Sequence, residues 1–291
     1  MRLILAIATT GRREVLSDTI SQIVHQTRLP DLVAISVASP EDVDSAVLET
    51  LPCARMIVSG PKGLCAQRNR MLALLGPDDI MLLIDDDFLM APDYLAQMLT
   101  LFETCPDIVM TTGTVIADGI GGPGFGLQEG LSELGSARGM TGAPMHETYN
   151  GYGCNMAFRA RPVVEGNLRF DERLPLYGWL EDVDFSRRLA PHGRIVRSDA
   201  LLGVHLGTKM GRTSGTRLGY SQVANPIYLI GKGTMHPRLA IWHVVKNIAA
   251  NLLHASRPEP WVDRRGRLRG NFIALGDLLR GRMAPERVLS L

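Results

Sequence analysis

The 291-residue chain is short of cysteines and aromatics and has no long apolar run, and each shortage closes off a class of protein. Its four cysteines, Cys53, Cys65, Cys105 and Cys154, stand apart from one another with no metal-site spacing. They read as free thiols in a reducing compartment rather than as a disulfide or zinc framework. No stretch approaches the roughly 18–20 apolar residues that a membrane span needs. The opening MRLILAIATTGRR has an apolar core of only about six residues and no small-residue cleavage site after it. A buried first strand is therefore expected there rather than a signal peptide. Aromatics make up 5% of the chain and no nucleic-acid reader motif is present, so no nucleic-acid partner is expected. There is no internal repeat of solenoid period. The expected location is cytoplasmic, either free or peripheral on the inner face of the cell membrane.

What is present is the composition of a globular protein, 45% apolar and 21% charged, long enough for one large domain or two modest ones. The formal net charge of +1 is unevenly spread. From Lys232 to Leu291 there are eleven Lys/Arg against four Asp/Glu, and the rest of the chain is net acidic. Along the first 115 residues, strand-like runs (LILAIATTGR, LVAISVAS, ARMIVSG, DIMLLIDDD) alternate with helical spacings (REVLSDTISQIVHQTRLP, GLCAQRNRMLALLG, DYLAQMLTLFETC). That alternation predicts a mostly parallel sheet flanked by helices, with any ligand beyond the carboxyl ends of the strands. From Asp118 to Thr148 nine glycines and little apolar periodicity suggest a long working or disordered loop. Strands at GYGCNMAFRA and GRIVRSDALLGVHLG and a helix at LEDVDFSRRLAPHG follow. PRLAIWHVVKNIAANLLH has helical spacing, and beyond it lie the basic RRGRLRG and then NFIALGDLLRGR.

The run IMLLIDDDFLM sets three adjacent carboxylates against apolar sequence. Burying even one without a partner costs several kcal/mol, roughly. On an extended strand Asp85 and Asp87 share a face and Asp86 points away. Two carboxylates side by side at a strand end suit a hard divalent cation; a solvated acidic turn is the simpler alternative. In LEDVDF, Glu181 and Asp182 sit at a helix start, where the dipole holds a carboxylate ionised. The pair reads equally as an N-cap and as a base. Asp184 is a weaker candidate, expected to pair with Arg187 or Arg188.

The ordered segments ATTGRR, GLCAQRNRML, LLIDDDF, GCNMAFRA, FDERL and WLEDVDFSRRL, spanning roughly residues 3–215, resemble the inverting family 2 glycosyltransferases of the GT-A fold, of the bacterial polysaccharide-assembly type. The resemblance implies the following. The fold is a Rossmann-like sheet flanked by helices, with a C-terminal helical extension. Thr9, Thr10, Gly11, Arg12, Arg68, Asn69, Asp85 and Asp86 contact the donor nucleotide. Asp87 ligates Mn2+ or Mg2+, and His205, after a strand end, completes the metal site. Lys209 and Arg212 steady the departing diphosphate. Asp182 is the general base and Glu181 places the acceptor. Gly153, Asn155, Tyr177 and Trp179 line the sugar sites, although Trp179 reads as well as core packing. Ser39 stands where the family carries an acid that reads uracil, leaving Glu41 or Asp42 as substitutes.

The implied reaction moves one sugar from a nucleotide sugar, a UDP-sugar on the family pattern, to an acceptor hydroxyl. The implied acceptor is an oligosaccharide or a polyprenyl-diphosphate-linked sugar of surface or exopolysaccharide assembly. A sugar nucleotidyltransferase and a non-catalytic nucleotide-sugar-binding scaffold are the rivals. The first should carry a basic Gly-rich first loop, which TTGRR matches poorly; the second should lack the triplet or the Glu-Asp pair. The expected division is a domain over 1–231, with a nucleotide half at 1–115 and an acceptor half at 116–231, followed by a basic amphipathic extension over 232–291. In that extension Leu239, Trp242, Val245, Ala249, Leu252 and Leu253 form one helical stripe, flanked by Arg238, Lys246 and the Arg264–Arg269 cluster. An anionic membrane surface and packing on the body explain it equally well.

Overall fold

The computed structural model describes residues 1–137, 142–211 and 213–291. It divides into two compact units. The first comprises Met1–Lys62, Ala66–Arg169 and Arg188–Gly211; the second comprises Gly63–Cys65, Phe170–Arg187 and Arg212–Leu291.

The first unit is built on one sheet. In chain order its elements are β1 (Leu3–Thr9), α1 (Arg13–Ile23), β2 (Leu32–Val37), α2 (Ser45–Glu49), β3 (Ala54–Ser59), α3 (Leu64–Leu72), β4 (Ile80–Asp85), β5 (Phe88–Met90), α4 (Tyr94–Thr104), β6 (Ile108–Asp118), α5 (Leu127–Ser136), β7 (Met145–Glu147), β8 (Asn155–Arg159) and α6 (Ala160–Glu165). After α7 (Glu181–Leu189) comes β9 (Arg194–His205). The strand order is β3-β2-β1-β4-β8-β6-β9-β5, with β7 beside β9. β3, β2, β1 and β4 are mutually parallel, as the strand–helix alternation predicts. β8 runs antiparallel to β4 and β6, and β5 and β7 run antiparallel to β9.

Register decides where chemistry can occur. Thr9 pairs with Val37 and Ala8 with Asp85, so β1, β2 and β4 end at one level. Phe88 pairs with His205, which brings the end of β9 to the segment that carries the aspartates. Leu3 to Ile7 in β1 and Met81 to Ile84 in β4 are buried along their whole length. This is the near-continuous apolar pattern of strands covered on both faces.

Two segments differ from the sequence reading. The Gly-rich stretch is not a featureless loop: it holds a 3-10 turn at Gly119–Gly121, α5 and β7. Leu127, Leu131 and Leu134 of α5 recur at helical spacing and pack with Leu89, Val204 and Leu206. Glycine diluted that period below notice. Residues 138–141 of the stretch lie outside the described residues. The second is an additional helix, α8 (Gly215–Lys232), which opens the C-terminal set ahead of α9 (Pro237–His254) and α10 (Arg264–Leu279). α8 carries Pro226 and the buried polar Gln222 and Asn225, which mask its apolar face. α10 begins at the basic run itself, with Asp263 capping the Gly266 amide.

Within the second unit α8 and α10 approach backbone to backbone. A Cβ on Gly219 would lie 2.0 Å from the Arg267 carbonyl oxygen, and one on Gly270 would lie 2.1 Å from that of Thr216. Only glycine permits this. A buried amide network ties the three helices: Asn251 donates to Gln222 and Asn271, and Asn271 donates to the Gly219 carbonyl. Gly219→Ala therefore forces the two backbones apart and should destabilise this helical unit by about 1–3 kcal/mol. Urea unfolding checks this, with Gly231→Ala, which meets open space, as the control.

Candidate active site

Each aspartate of the triplet is matched by a cation from a different element. Arg68 of α3, buried to 1% exposure, donates from Nη2 to Asp85 Oδ1 (3.4 Å) and to the Gly153 carbonyl (2.7 Å). Arg12, in the loop after β1, donates from Nη1 to Asp86 Oδ1 (2.9 Å) and lies 3.8 Å from Asp87 Oδ2. His205 Nε2 lies 3.3 Å from Asp87 Oδ1 and 3.9 Å from Asp85 Oδ2. Three like charges are thus tolerated beside the core because three positive groups converge on them. The strand ends at Asp85 and turns, yet Asp85 and Asp87 still meet on one side, at His205. Asp86 turns the other way, accepting from the Thr9 hydroxyl at 2.7 Å.

The electrostatics follow. Burial pushes the Asp86 carboxyl up against the pull of Arg12, and burial likewise raises Asp85 despite Arg68 and His205. For Asp87 burial is outweighed by the His205 imidazolium and by Arg12, so its carboxyl falls below the usual range. Burial alone would lower His205, but the hydrogen bond to Asp118 and the close carboxylates of Asp87 and Asp85 lift it to about 10. His205 Nδ1 is oriented by Asp118 Oδ1 at 2.9 Å, and Asp118 Oδ2 accepts from the Tyr152 hydroxyl at 2.8 Å.

This donor set fits a divalent metal. One ligand atom from each of Asp85, Asp87 and His205 lies within 4.8 Å of the others. Asp87 Oδ1 is buried and, among the described residues, meets His205 Nε2 at 3.3 Å without accepting a hydrogen bond. The Asp118–His205 contact is the support that a ligating imidazole needs on its far nitrogen. Two carboxylate oxygens and an imidazole suit Mn2+ or Mg2+. Asp118 was not anticipated from the sequence. It closes β6, 87 residues before its partner, and only the parallel pairing of β6 with β9 sets Asp118 opposite His205.

The loop after β1 is tied to its neighbours. The Thr10 hydroxyl bonds the Thr9 carbonyl, Gly11 has φ +66°, and Arg12 Nε donates to the Met210 carbonyl at 2.8 Å. Asn69 is half-buried on α3, one position beyond Arg68. Asp42 is not available to read a base. Its Oδ1 accepts from the Gly11 amide (2.6 Å) and its Oδ2 from the Ala38 and Ser39 amides (3.0 and 2.9 Å). It staples the β1 loop to the β2 loop, while Glu41 is exposed. Asn155 is fully buried and accepts from the Thr112 hydroxyl and the Gly113 amide. Lys209 Nζ donates to the Gly119 and Ile120 carbonyls at 2.8 and 3.2 Å. Arg212 lies outside the described residues.

Glu181, Asp182, Tyr177 and Trp179 belong to the second unit. Glu181 is buried and Asp182 half-buried in the first turn of α7. The segment before them is strained: Leu176, Gly178 and Leu180 alternate at φ +58°, +64° and +72°. Each leucine there costs about 1–2 kcal/mol. Tyr177 is exposed, and Trp179 sets its ring edge-to-face 6.0 Å from His243 while Asn225 holds its carbonyl. Asp184 is fully buried and takes Lys232 Nζ (2.9 Å) and the Thr234 hydroxyl (2.8 Å). The Asp184 contact fastens α7 to the end of α8, where Lys232 also binds Asp171 at 2.5 Å.

A ligating imidazole must be neutral, so Mn2+ binding at neutral pH should release about one proton from His205. Calorimetry in two buffers of different ionisation enthalpy reads this directly. Without metal, the folded pKa of about 10 lies above the ordinary 6.5. His205 therefore contributes stability that is complete below pH about 6.5 and is lost as pH rises through about 10. A melting-temperature series over that range should show the loss, and His205→Gln should flatten it. Asp118→Ala should weaken Mn2+ binding about 10–100-fold.

Comparisons with known proteins bear on the family and the fold. Residues 5–165, more than half of the chain, match the family model for glycosyl transferase family 2. The glucosyl-dolichyl phosphate glucuronosyltransferase of Haloferax volcanii is 28% identical over 163 residues, 53% of this chain and 50% of that protein. The chain thus spans about half the length of that curated relative. Among solved structures, residues 1–349 of S. aureus TarS with UDP-GlcNAc align with TM-score 0.59 at 12% identity, covering 100% of this chain and 84% of that one. The mannosyltransferase PcManGT from Pyrobaculum calidifontis, with GDP-Man and Mn2+, aligns at 0.55 and 16%, covering 99% and 85%. These distant likenesses establish the fold as the GT-A architecture with its helical C-terminal region. A matched family model over most of the sheet, on a chain whose carboxylates and imidazole gather at the sheet's carboxyl edge, leaves one conclusion: the chain belongs to glycosyl transferase family 2.

Proposed function

We propose that the chain is a glycosyltransferase that moves one sugar from a nucleotide-sugar donor to an acceptor hydroxyl, inverting the anomeric carbon. The observation that carries this reading is the gathering of Asp85, Asp87 and His205 at the carboxyl edge of β4 and β9. The structural neighbours bound to UDP-GlcNAc, or to GDP-Man and Mn2+, support the donor class and the divalent ion. A metal held there would neutralise donor diphosphate oxygens and favour departure of the nucleoside diphosphate.

The chain's own groups supply the rest. Thr9 to Arg12, Arg68 and Asn69 hold the nucleotide at the ends of β1 and β4. The Asp182 carboxylate takes the acceptor hydroxyl proton, with Glu181 placing that hydroxyl. The acceptor oxygen then bonds to the anomeric carbon as the bond from that carbon to the diphosphate breaks, and its electron pair leaves with the nucleotide. One base suffices for such a direct displacement. The curated relative, named for a glucosyl-dolichyl phosphate, supports a lipid-linked saccharide as acceptor. We place the reaction in assembly of a surface or extracellular polysaccharide.

Titration calorimetry of UDP and GDP, each with and without Mn2+, should show metal-dependent binding of one nucleotide, abolished in Asp87→Ala. With that donor class fixed, Asp182→Asn should keep the nucleotide affinity and lower kcat about 10²–10⁴-fold. Proton NMR of the first-formed product should show the inverted anomer. Binding of neither nucleotide by folded protein would sink the donor-site reading, and retained kcat in Asp182→Asn would sink the base assignment.

A further inference from the structure

The helical stripe of α9 faces out except for Leu239, which is half-buried, and Ile241 joins it. Ile241, Trp242, Val245, Leu252 and Leu253 are 58%, 60%, 54%, 58% and 76% exposed. At 100° per residue they and Ala249 share one arc of about 120°. The opposite face is docked. Ala240 and Asn251 are buried, Val244 and Ile248 pack against the Tyr220–Ala224 core, and Asn247 accepts from Gln222 at 2.9 Å. The outward arc is therefore a property of a well-anchored helix.

Its charges have one sign. α9 contains no acidic residue; Arg238 lies within the arc at its N-terminal end and Lys246 on its edge. The acids that follow are already committed: Glu259 to Arg264, Asp277 to Arg282 and Arg287, Glu286 to Arg173, and Asp263 to the cap of α10. Arg238, Lys246, Arg257, Arg265 and Arg269 form no ion pair among the described residues. α10 repeats the composition on its outer side, where Phe272 and Leu279 are exposed along with Arg265, Arg269 and Arg280.

We propose that α9 is a membrane-docking helix, laying Ile241, Trp242, Val245, Ala249, Leu252 and Leu253 into the surface of an anionic lipid bilayer, with Arg238 and Lys246 on the lipid phosphates. Charge complementarity selects this occupant. A two-fold contact with a second copy would set the same acid-free, basic helix against itself. A lipid surface supplies both the apolar depth for the arc and the negative charge for its flanks. An indole at the boundary suits Trp242. No helix among the described residues is long and apolar enough to cross a membrane, so α9 lies along the surface rather than through it.

The proposal stands apart from the transfer reading, because its test reads no nucleotide. The full chain is floated with vesicles of phosphatidylcholine alone and of phosphatidylcholine mixed with phosphatidylglycerol, at low and high salt. It should float with the anionic vesicles and weaken with salt, and its tryptophan emission should shift to the blue. The double variant Trp242→Glu/Leu253→Glu should bind about tenfold less or worse while melting as the wild type does. Arg238→Gln/Lys246→Gln should bind less and lose salt dependence. Wild-type protein that ignores anionic vesicles, or the double variant binding as wild type does, overturns the proposal. So does a wild-type dimer that Trp242→Glu/Leu253→Glu renders monomeric, since the arc would then join two copies.

Discussion

Everything at the sheet's carboxyl edge depends on one electrostatic constraint: three consecutive carboxylates must be held against apolar strands without repelling one another apart. The solution is one cation per carboxylate, drawn from places far apart in the chain. Arg12 comes from the loop after β1, Arg68 from α3 and His205 from the end of β9. Because these cations also bond the Met210 and Gly153 carbonyls and the Asp118 carboxylate, the balance of charge and the positions of the loops are one arrangement. Losing Arg12 leaves the buried Asp86 carboxylate without its cation, which is far costlier than losing a surface pair.

The same arrangement makes His205 the group that exchanges roles. Protonated, it balances Asp85 and Asp87; neutral, it can ligate with them. Asp118 and Tyr152 fix the ring in the orientation both roles require. A metal bound there would compete with the proton for one nitrogen, and the carboxylates would see a positive partner in either state.

The second unit has a different economy. Its helices are joined by glycine-to-backbone contact and by a buried amide network, which leaves the apolar residues of α9 free to face outward. Asp184 spends its charge on Lys232 to anchor α7, the helix whose first turn carries Glu181 and Asp182. Strain at Leu176 and Leu180 is concentrated at that same helix start. Such strain persists only where surrounding structure over-determines it.

Strand–helix alternation and the apolar run ending at Asp85 were enough to read the parallel half of the sheet and the edge where its chemistry lies. Those features are local and periodic, and periodicity survives in one dimension. Helix α5 was hidden by its glycines and α8 by its proline and buried amides, since both break the apolar period that sequence reading relies on. The partners of Asp42, Asp118, Asp184 and Lys209 were unreadable for another reason. Each is fixed by strand register or by helix packing across long separations, so which carboxylate staples a loop, orients an imidazole or anchors a helix is decided only when the chain closes. The stripe on α9 shows the division most simply: the sequence period put Trp242, Val245, Ala249, Leu252 and Leu253 on one face, and only tertiary packing decided that Ile241 joins them rather than Leu239, and that the amide face turns inward and the apolar face outward.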